Sequence, residues 1–193
     1  MAALPKVKPS DAVIASKLVA AAMAQTKIKV SYDGSYRRLD YPGGDVPANI
    51  GVCTDVIIRA YRELGIDLQV LVHEDMKLAF KAYPQLWGLR GPDYNIDHRR
   101  VPNLQVYFTR VGVKLSVSQR AVDYHEGDLV TWMLPGNLPH IGIVSSDKSK
   151  TTGNPLIIHN IGRGPEIEDM LFAYEITGHY RWLPHKVIAE PRP

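Results

Sequence analysis

Cysteine is nearly absent from this chain: Cys53 is the only one among 193 residues. A lone thiol excludes an internal disulfide framework and a multi-cysteine zinc site. An excess of one sign of charge is lacking as well, with 23 Lys and Arg against 20 Asp and Glu. The formal net charge is +3, and no Lys/Arg block is interleaved with aromatics, which sets aside the nucleic-acid-binding classes. So small a positive balance suits no more than an anionic surface such as a bacterial wall. No uninterrupted apolar run approaches the roughly 20 residues that span a bilayer. The opening segment, Met1-Ala2-Ala3-Leu4-Pro5-Lys6-Val7-Lys8, lacks the charged start and apolar core of a signal peptide. Among the seven histidines no compact pair of the His-x-x-x-His kind occurs, so neither a metal site nor a cofactor is expected. No glycine-rich phosphate loop joins a strand to a helix either. Gly162-Arg163-Gly164-Pro165 follows a strand-like run, but Pro165 and the acidic residues after it read as a turn.

What is present is ordinary globular material, 45% hydrophobic and 22% charged, enough for one domain with a real core. A first helix is predicted from the Pro9-Ser10-Asp11 start to about Ala24, with Val13, Ile14, Leu18 and Ala21 at helical spacing. Tyr32 to Ile50 reads as an ordered loop or short hairpin, punctuated by Asp33-Gly34, Pro42-Gly43-Gly44 and Pro47. From Thr54 the helical pattern is plain: Val56, Ile57, Ala60, Tyr61 and Leu64 share a face, and Gly65 ends it. A further helix is predicted over His73–Tyr83, then an irregular stretch over Trp87–Asn103, then a short helix over Leu104–Gly112. The C-terminal half is strand-like over 129–133, 141–144, 156–159 and 178–182, with turn residues between the runs. Helices first and an antiparallel sheet second make an α+β arrangement. The expected organisation is a helical extension over 1–31, a catalytic domain over 32–185 and a tail over 186–193.

Cys53 lies in Gly51-Val52-Cys53-Thr54-Asp55, where a helix begins. A thiol at a helix N-terminus faces unpaired backbone amides and the positive end of the helix dipole, which favour a nucleophilic role over a structural one. His140, after Pro139 and at the head of Ile141-Gly142-Ile143-Val144, can reach from a strand start across a groove to that terminus and act as its base. A third polar group must then orient the imidazole. His159 and Asn160 end another strand-like run, and because successive strand residues face opposite sides, only one of them suits that task. Either residue type could serve.

The second polar cluster is Asp97-His98-Arg99-Arg100, with Asp93 nearby. Two readings apply. The arginines can pair with carboxylates to pin a long loop, or the cluster can bind a substrate carboxylate in bidentate fashion. Trp87, Trp132, Tyr180 and Trp182 read as core or groove walls.

Taken together, Gly-Val-Cys-Thr-Asp before a helix, Gly-Asp-Leu-Val (127–130) before a strand, His-Ile-Gly-Ile-Val, and a later strand-borne histidine resemble the NlpC-type cell-wall peptidases of the papain-like superfamily. Within that superfamily the chain is similar to an uncharacterised bacterial branch, marked by Asn-Ile-Asp-His-Arg-Arg-Val-Pro-Asn-Leu (95–104) and Ile-His-Asn-Ile-Gly (158–162). The resemblance runs from about Tyr32 to Leu183. It implies a papain-like fold with Cys53 as nucleophile, His140 as base and acid, His159 as the orienting third member, and Tyr41 beside the oxyanion. It further implies an amide-hydrolysing activity on peptidoglycan stems or cross-links, in the periplasm or cell envelope, with a leader removed or the chain delivered as a secreted effector. An effector would have an immunity protein as partner. An acyltransferase or a non-catalytic wall-binding module on the same fold are the alternatives. Where the family commonly has Asp-Cys-Ser-Gly, this chain has Val52-Cys53-Thr54-Asp55, a departure that touches substrate preference.

Overall fold

The computed structural model describes residues 9–184; residues 1–8, read above for a leader, and the tail expected over 186–193 lie outside them. The helix α1 (Pro9–Gln25) has the predicted extent but not the predicted face: of Val13, Ile14, Leu18 and Ala21 only Leu18 is buried, and Val13 is exposed. Leu18, Val19 and Ala22 on α1 are buried in the same core as α2 (Cys53–Glu63), so this helix is part of the domain wall rather than an appendage. Two-residue strands β1 (Ser31–Tyr32) and β2 (Ile50–Gly51) pair in parallel and tie together the ends of the intervening loop.

Helix α3 (Leu68–Ala79) starts well before the predicted His73. Asp67 supplies the reason: its carboxylate accepts the Gln69 N–H at 2.9 Å, a cap that contributes about 1 kcal/mol. A short 3-10 turn, Phe80–Ala82, completes the segment ahead of Pro84. The stretch predicted to be irregular contains another 3-10 turn, Asp97–Arg99. It runs into α4 (Val101–Arg110), which carries Pro102 in its first turn, where a missing N–H costs nothing.

The strands are β3 (Lys114–Leu115), β4 (Leu129–Leu134), β5 (Leu138–Lys148), β6 (Pro155–His159), β7 (Glu166–Glu168) and β8 (Glu175–Tyr180). They form one six-stranded sheet in the order β3-β8-β4-β5-β6-β7, with every neighbouring pair antiparallel. The architecture is α+β, as expected. The last strand, expected over 178–182, runs over Glu175–Tyr180, and a further element departs from expectation. Glu166-Ile167-Glu168 is a strand rather than part of a turn, and its Ile167 pairs with Ile158.

The sheet is covered on both faces, and strand alternation sorts the residues. Leu129, Ile141, Ile143, Ile158 and Tyr180 pack on the helices, with Ile57, Tyr61, Leu104, Phe108 and Trp182 opposite. Val130, Trp132, Val144, Ile157 and Ile176 face the other way, onto Tyr124, Met170 and Leu171. Each fully buried Leu or Ile contributes about 2 kcal/mol. Asp128, from the Gly-Asp-Leu-Val run, is a structural anchor. Its buried carboxylate meets His179 Nε2 at 2.7 Å and Arg181 Nε at 2.7 Å, joining the starts of β4 and the end of β8.

Candidate active site

Val52 is extended (φ −122°, ψ −174°), and its hydrocarbon side chain has nothing with which to cap α2. Asp55 compensates by reaching back to accept the Val52 N–H at 2.7 Å, the acid half of a capping box. The same carboxylate receives Arg99 Nε and Nη2, both at 2.9 Å, and the pair is almost wholly buried. Thr54 donates its hydroxyl to the Arg99 carbonyl at 2.9 Å, and Arg99 also reaches the Asp33 carbonyl at 3.3 Å. The first turn of α2, the 97–99 turn and the loop after β1 are thereby locked together around Cys53.

Cys53 itself is 4% exposed. The backbone amides of Ile141, Thr54 and Cys53 favour the ionised form of its sulfur. The β5–β6 register explains the first of these. Ile143 pairs with Ile158 and Val144 with Ile157, so His159 lies across from Gly142 and residue 160 would lie across from Ile141. Strand β6 has ended by then, and the thiol stands where the strand would have continued. It therefore adjoins the residue that follows His140 in the chain.

Gly142 is required at this crossing. A Cβ there would come within 2.6 Å of Ile157 Cγ2 and 3.2 Å of His159 Cβ, so only glycine lets β5 and β6 approach with both histidines on one face. The result is a direct contact: His140 Nε2 lies 2.9 Å from His159 Nδ1, with the rings edge-to-face at 5.1 Å. His159 Nε2 is in turn 3.0 Å from Glu168 Oε2 on β7, and Arg163 Nη2 donates to Glu168 Oε1 at 2.7 Å. Burial dominates the electrostatics here. It pushes the Cys53 thiol up to about 12 and, together with the neighbouring His159, the His140 imidazole down to about 3. Burial also lowers His159 despite Glu168 beside it. At rest, near pH 7, the thiol and both imidazoles are neutral.

Of the two candidates for third member, His159 touches His140. Asn160 does other work. Its amide donates to the Gly51 carbonyl at 3.3 Å, and its Oδ1 accepts from the N–H groups of Gly162 and Gly164, tying the end of β6 to the residues just before Cys53. Tyr41 sits elsewhere than expected. Its hydroxyl meets Glu74 at 3.0 Å and its ring packs on His73 and Tyr94. The tyrosine beside the thiol is Tyr32, paired with Gly51 across β1–β2. Tyr32 is 47% exposed; partial desolvation and the nearby Cys53 and Asp55 raise its phenol, against the pull of Arg99. Tyr32 lies in β1 while Tyr36 and Tyr41 lie in the loop that follows, and only the β1–β2 pairing distinguishes them.

The Asp97-His98-Arg99-Arg100 cluster divides. Asp97, His98 and Arg99 are buried. Arg99 is the Asp55 latch, Asp97 accepts the Asp93 N–H and pairs with Arg100 at 3.0 Å, and His98 is held down to about 3, chiefly by burial. Arg100 differs in lying over the face of Trp87 at 3.9 Å. It borders a recess of about 310 Å³ that also includes Gly34, Tyr36, Val52, Ile96 and Arg99, and Val52 is the residue before Cys53. Among the described residues no helix is long and apolar enough to cross a membrane.

The protein described as "Uncharacterized protein YijF" of Escherichia coli (strain K12) is 53% identical to this chain over 152 residues, covering 79% of this chain and 74% of that protein. The family described as Domain of unknown function (DUF1287) matches residues 19–182, a span that includes Cys53, His140, His159 and Glu168 and begins inside α1. The chain belongs to that family.

Proposed function

We propose that this protein is a cysteine amidase or peptidase of papain-like, NlpC type that hydrolyses amide bonds in the peptide stems or cross-links of peptidoglycan, working in the bacterial cell envelope. The observation that carries this reading is the meeting of three separated segments: Cys53 at the start of α2, against the Ile141 amide, and His140 hydrogen-bonded to His159. A structural core cysteine requires no backbone amide near its sulfur, and here that amide belongs to Ile141, the residue after His140.

The chemistry follows from the neutral resting state. His140 uses Nε2 for His159, so Nδ1 is the nitrogen left for the thiol. As the sulfur attacks a substrate carbonyl carbon, its proton passes to His140 Nδ1, and no free thiolate need accumulate beforehand. The carbonyl oxygen becomes an oxyanion beside the amides of Cys53 and Thr54 at the helix terminus. Tyr32, a neutral phenol near pH 7, is a further donor there. The imidazolium then protonates the departing amine as the C–N bond breaks, leaving a thioester on Cys53. A water molecule, deprotonated by His140, attacks the thioester, and the sulfur leaves and regains its proton. Arg100 on the wall of the adjoining recess suits the carboxylates of an acidic peptide stem.

The test is digestion of purified muropeptides by the wild-type protein and by Cys53→Ala, with new amino termini identified by mass spectrometry. Cleavage by the wild type alone supports the proposal. Equal products from both proteins refute it.

A further inference from the structure

Glu168 is the residue of this site that neither the motifs nor the thiol chemistry call for, yet the histidine pair ends on it. We infer that Glu168 is a positioning residue that sets the tautomer of both histidines; the inference deepens the amidase reading and rests on it for its kinetic consequence. Paired with Arg163 at 2.7 Å, the Glu168 carboxylate is an acceptor only. At 3.0 Å from it, His159 Nε2 must carry a hydrogen, because a bare nitrogen would set two lone pairs against each other. Neutral His159 then has a bare Nδ1. That bare Nδ1 is 2.9 Å from His140 Nε2, so His140 must carry its hydrogen on Nε2 as well. The one basic lone pair left in the relay is on His140 Nδ1, the nitrogen free to receive the thiol proton.

Without Glu168 the relay has no direction. Two neutral imidazoles can share one hydrogen bond either way round, and in the reversed arrangement His140 Nε2 is the acceptor while Nδ1 bears a hydrogen and is useless as a base. Fixing the tautomer of a catalytic histidine is worth up to about 10⁴-fold in turnover where the orienting carboxylate is buried. Glu168 is about one-third exposed and borders an open hollow of about 640 Å³ with Arg163, Asp169, Met170 and Tyr174. Water can therefore take over part of its role, and the expected loss is smaller. Arg163 is mostly exposed and holds the carboxylate in place rather than touching a histidine.

The experiment is ¹⁵N-edited NMR of the histidine ring nitrogens in the full chain at about pH 7, which reports tautomers whether or not the substrate is known. In the wild type, His140 and His159 are both expected as Nε2–H with bare Nδ1. A wild-type spectrum with Nδ1–H on either ring overturns the inference without recourse to a variant. In Glu168→Ala both rings are expected to become tautomer mixtures, while Glu168→Gln, whose side-chain oxygen can still accept, is expected to keep the wild-type pattern. An unchanged pattern in a folded Glu168→Ala also overturns it. On muropeptides, Glu168→Ala is expected to lower kcat about 10- to 100-fold with KM unchanged and to be largely rescued by Gln. If the wild type cleaves nothing, the amidase proposal fails while the tautomer assignment stands or falls on its spectra.

Discussion

Acidification from about pH 7 to about pH 5 should cost this fold a large part of its stability, and two buried histidines set the amount. His98 and His140 are each 2% exposed. Burial, aided by neighbouring positive charge at His98 and by His159 at His140, lowers each from 6.5 to about 3. In the unfolded chain both protonate on passing below 6.5, whereas in the folded chain they stay neutral. The unfolded state therefore binds more protons, and stability falls with pH between about 6.5 and 3. At about pH 5 each histidine contributes a loss of about 2 kcal/mol, or about 4 kcal/mol for the two. His159 is lowered too and acts in the same direction. Carboxylates with lowered values, such as Asp75, Asp128 and Asp169, begin to matter only near pH 4 and below, because the unfolded carboxylate is still ionised at pH 5. A domain of this size is stable by about 5–15 kcal/mol, so the loss is readily measured. Urea unfolding followed by tryptophan fluorescence at the two pH values is the assay, and His98→Gln should shrink the pH-dependent difference by about half whatever its own baseline cost. Equal stability at the two pH values, within about 0.5 kcal/mol, would refute the reasoning.

Three further predictions concern the site. Removing one side of the buried Asp55–Arg99 pair, as in Arg99→Ala, should cost about 3–5 kcal/mol in urea unfolding, because an unpaired buried carboxylate remains; a loss under about 1 kcal/mol would show that water replaces the guanidinium. Since His140 is held neutral down to about 3, kcat/KM on muropeptides should stay level from about pH 8 to about pH 5 over the range where the fold persists, and an acid limb with a midpoint near 6.5 would contradict it. His159→Ala should abolish most turnover with the fold intact, while Asn160→Ala should show itself mainly as lowered stability through the lost tethers to Gly51, Gly162 and Gly164. The reverse ranking in activity would make Asn160 the third member.

Much of the local structure was legible from residue patterns. The apolar face of α2 and its stop at Gly65, the length of α1, and the positions of β4, β5 and β6 follow from periodicity and turn residues, which are short-range properties. Asp67-Leu68-Gln69 carries the capping signal for the early start of α3, but apolar spacing by itself points to the later turn. Strand β7 has no local signal at all. Three residues with a Glu-Ile-Glu alternation have no propensity to speak of, and they are a strand only because β6 offers them an unpaired edge.

The sequence alone was sufficient to mark Cys53 at a helix start and to put His140 and His159 on strands, since each placement depends on a few neighbouring residues. It kept Asn160 as a competitor to His159, named Tyr41 rather than Tyr32, left Arg99 open between pinning a loop and binding substrate, and gave no weight to Glu168. The contacts of all these residues come from tertiary structure. Which side chains meet across β5, β6 and β7, or across β1 and β2, is set by strand register, and register depends on contacts between residues far apart in the chain. Gly142 is where the two levels join: one residue, visible in the sequence, whose missing side chain becomes meaningful only once His159 is packed against it.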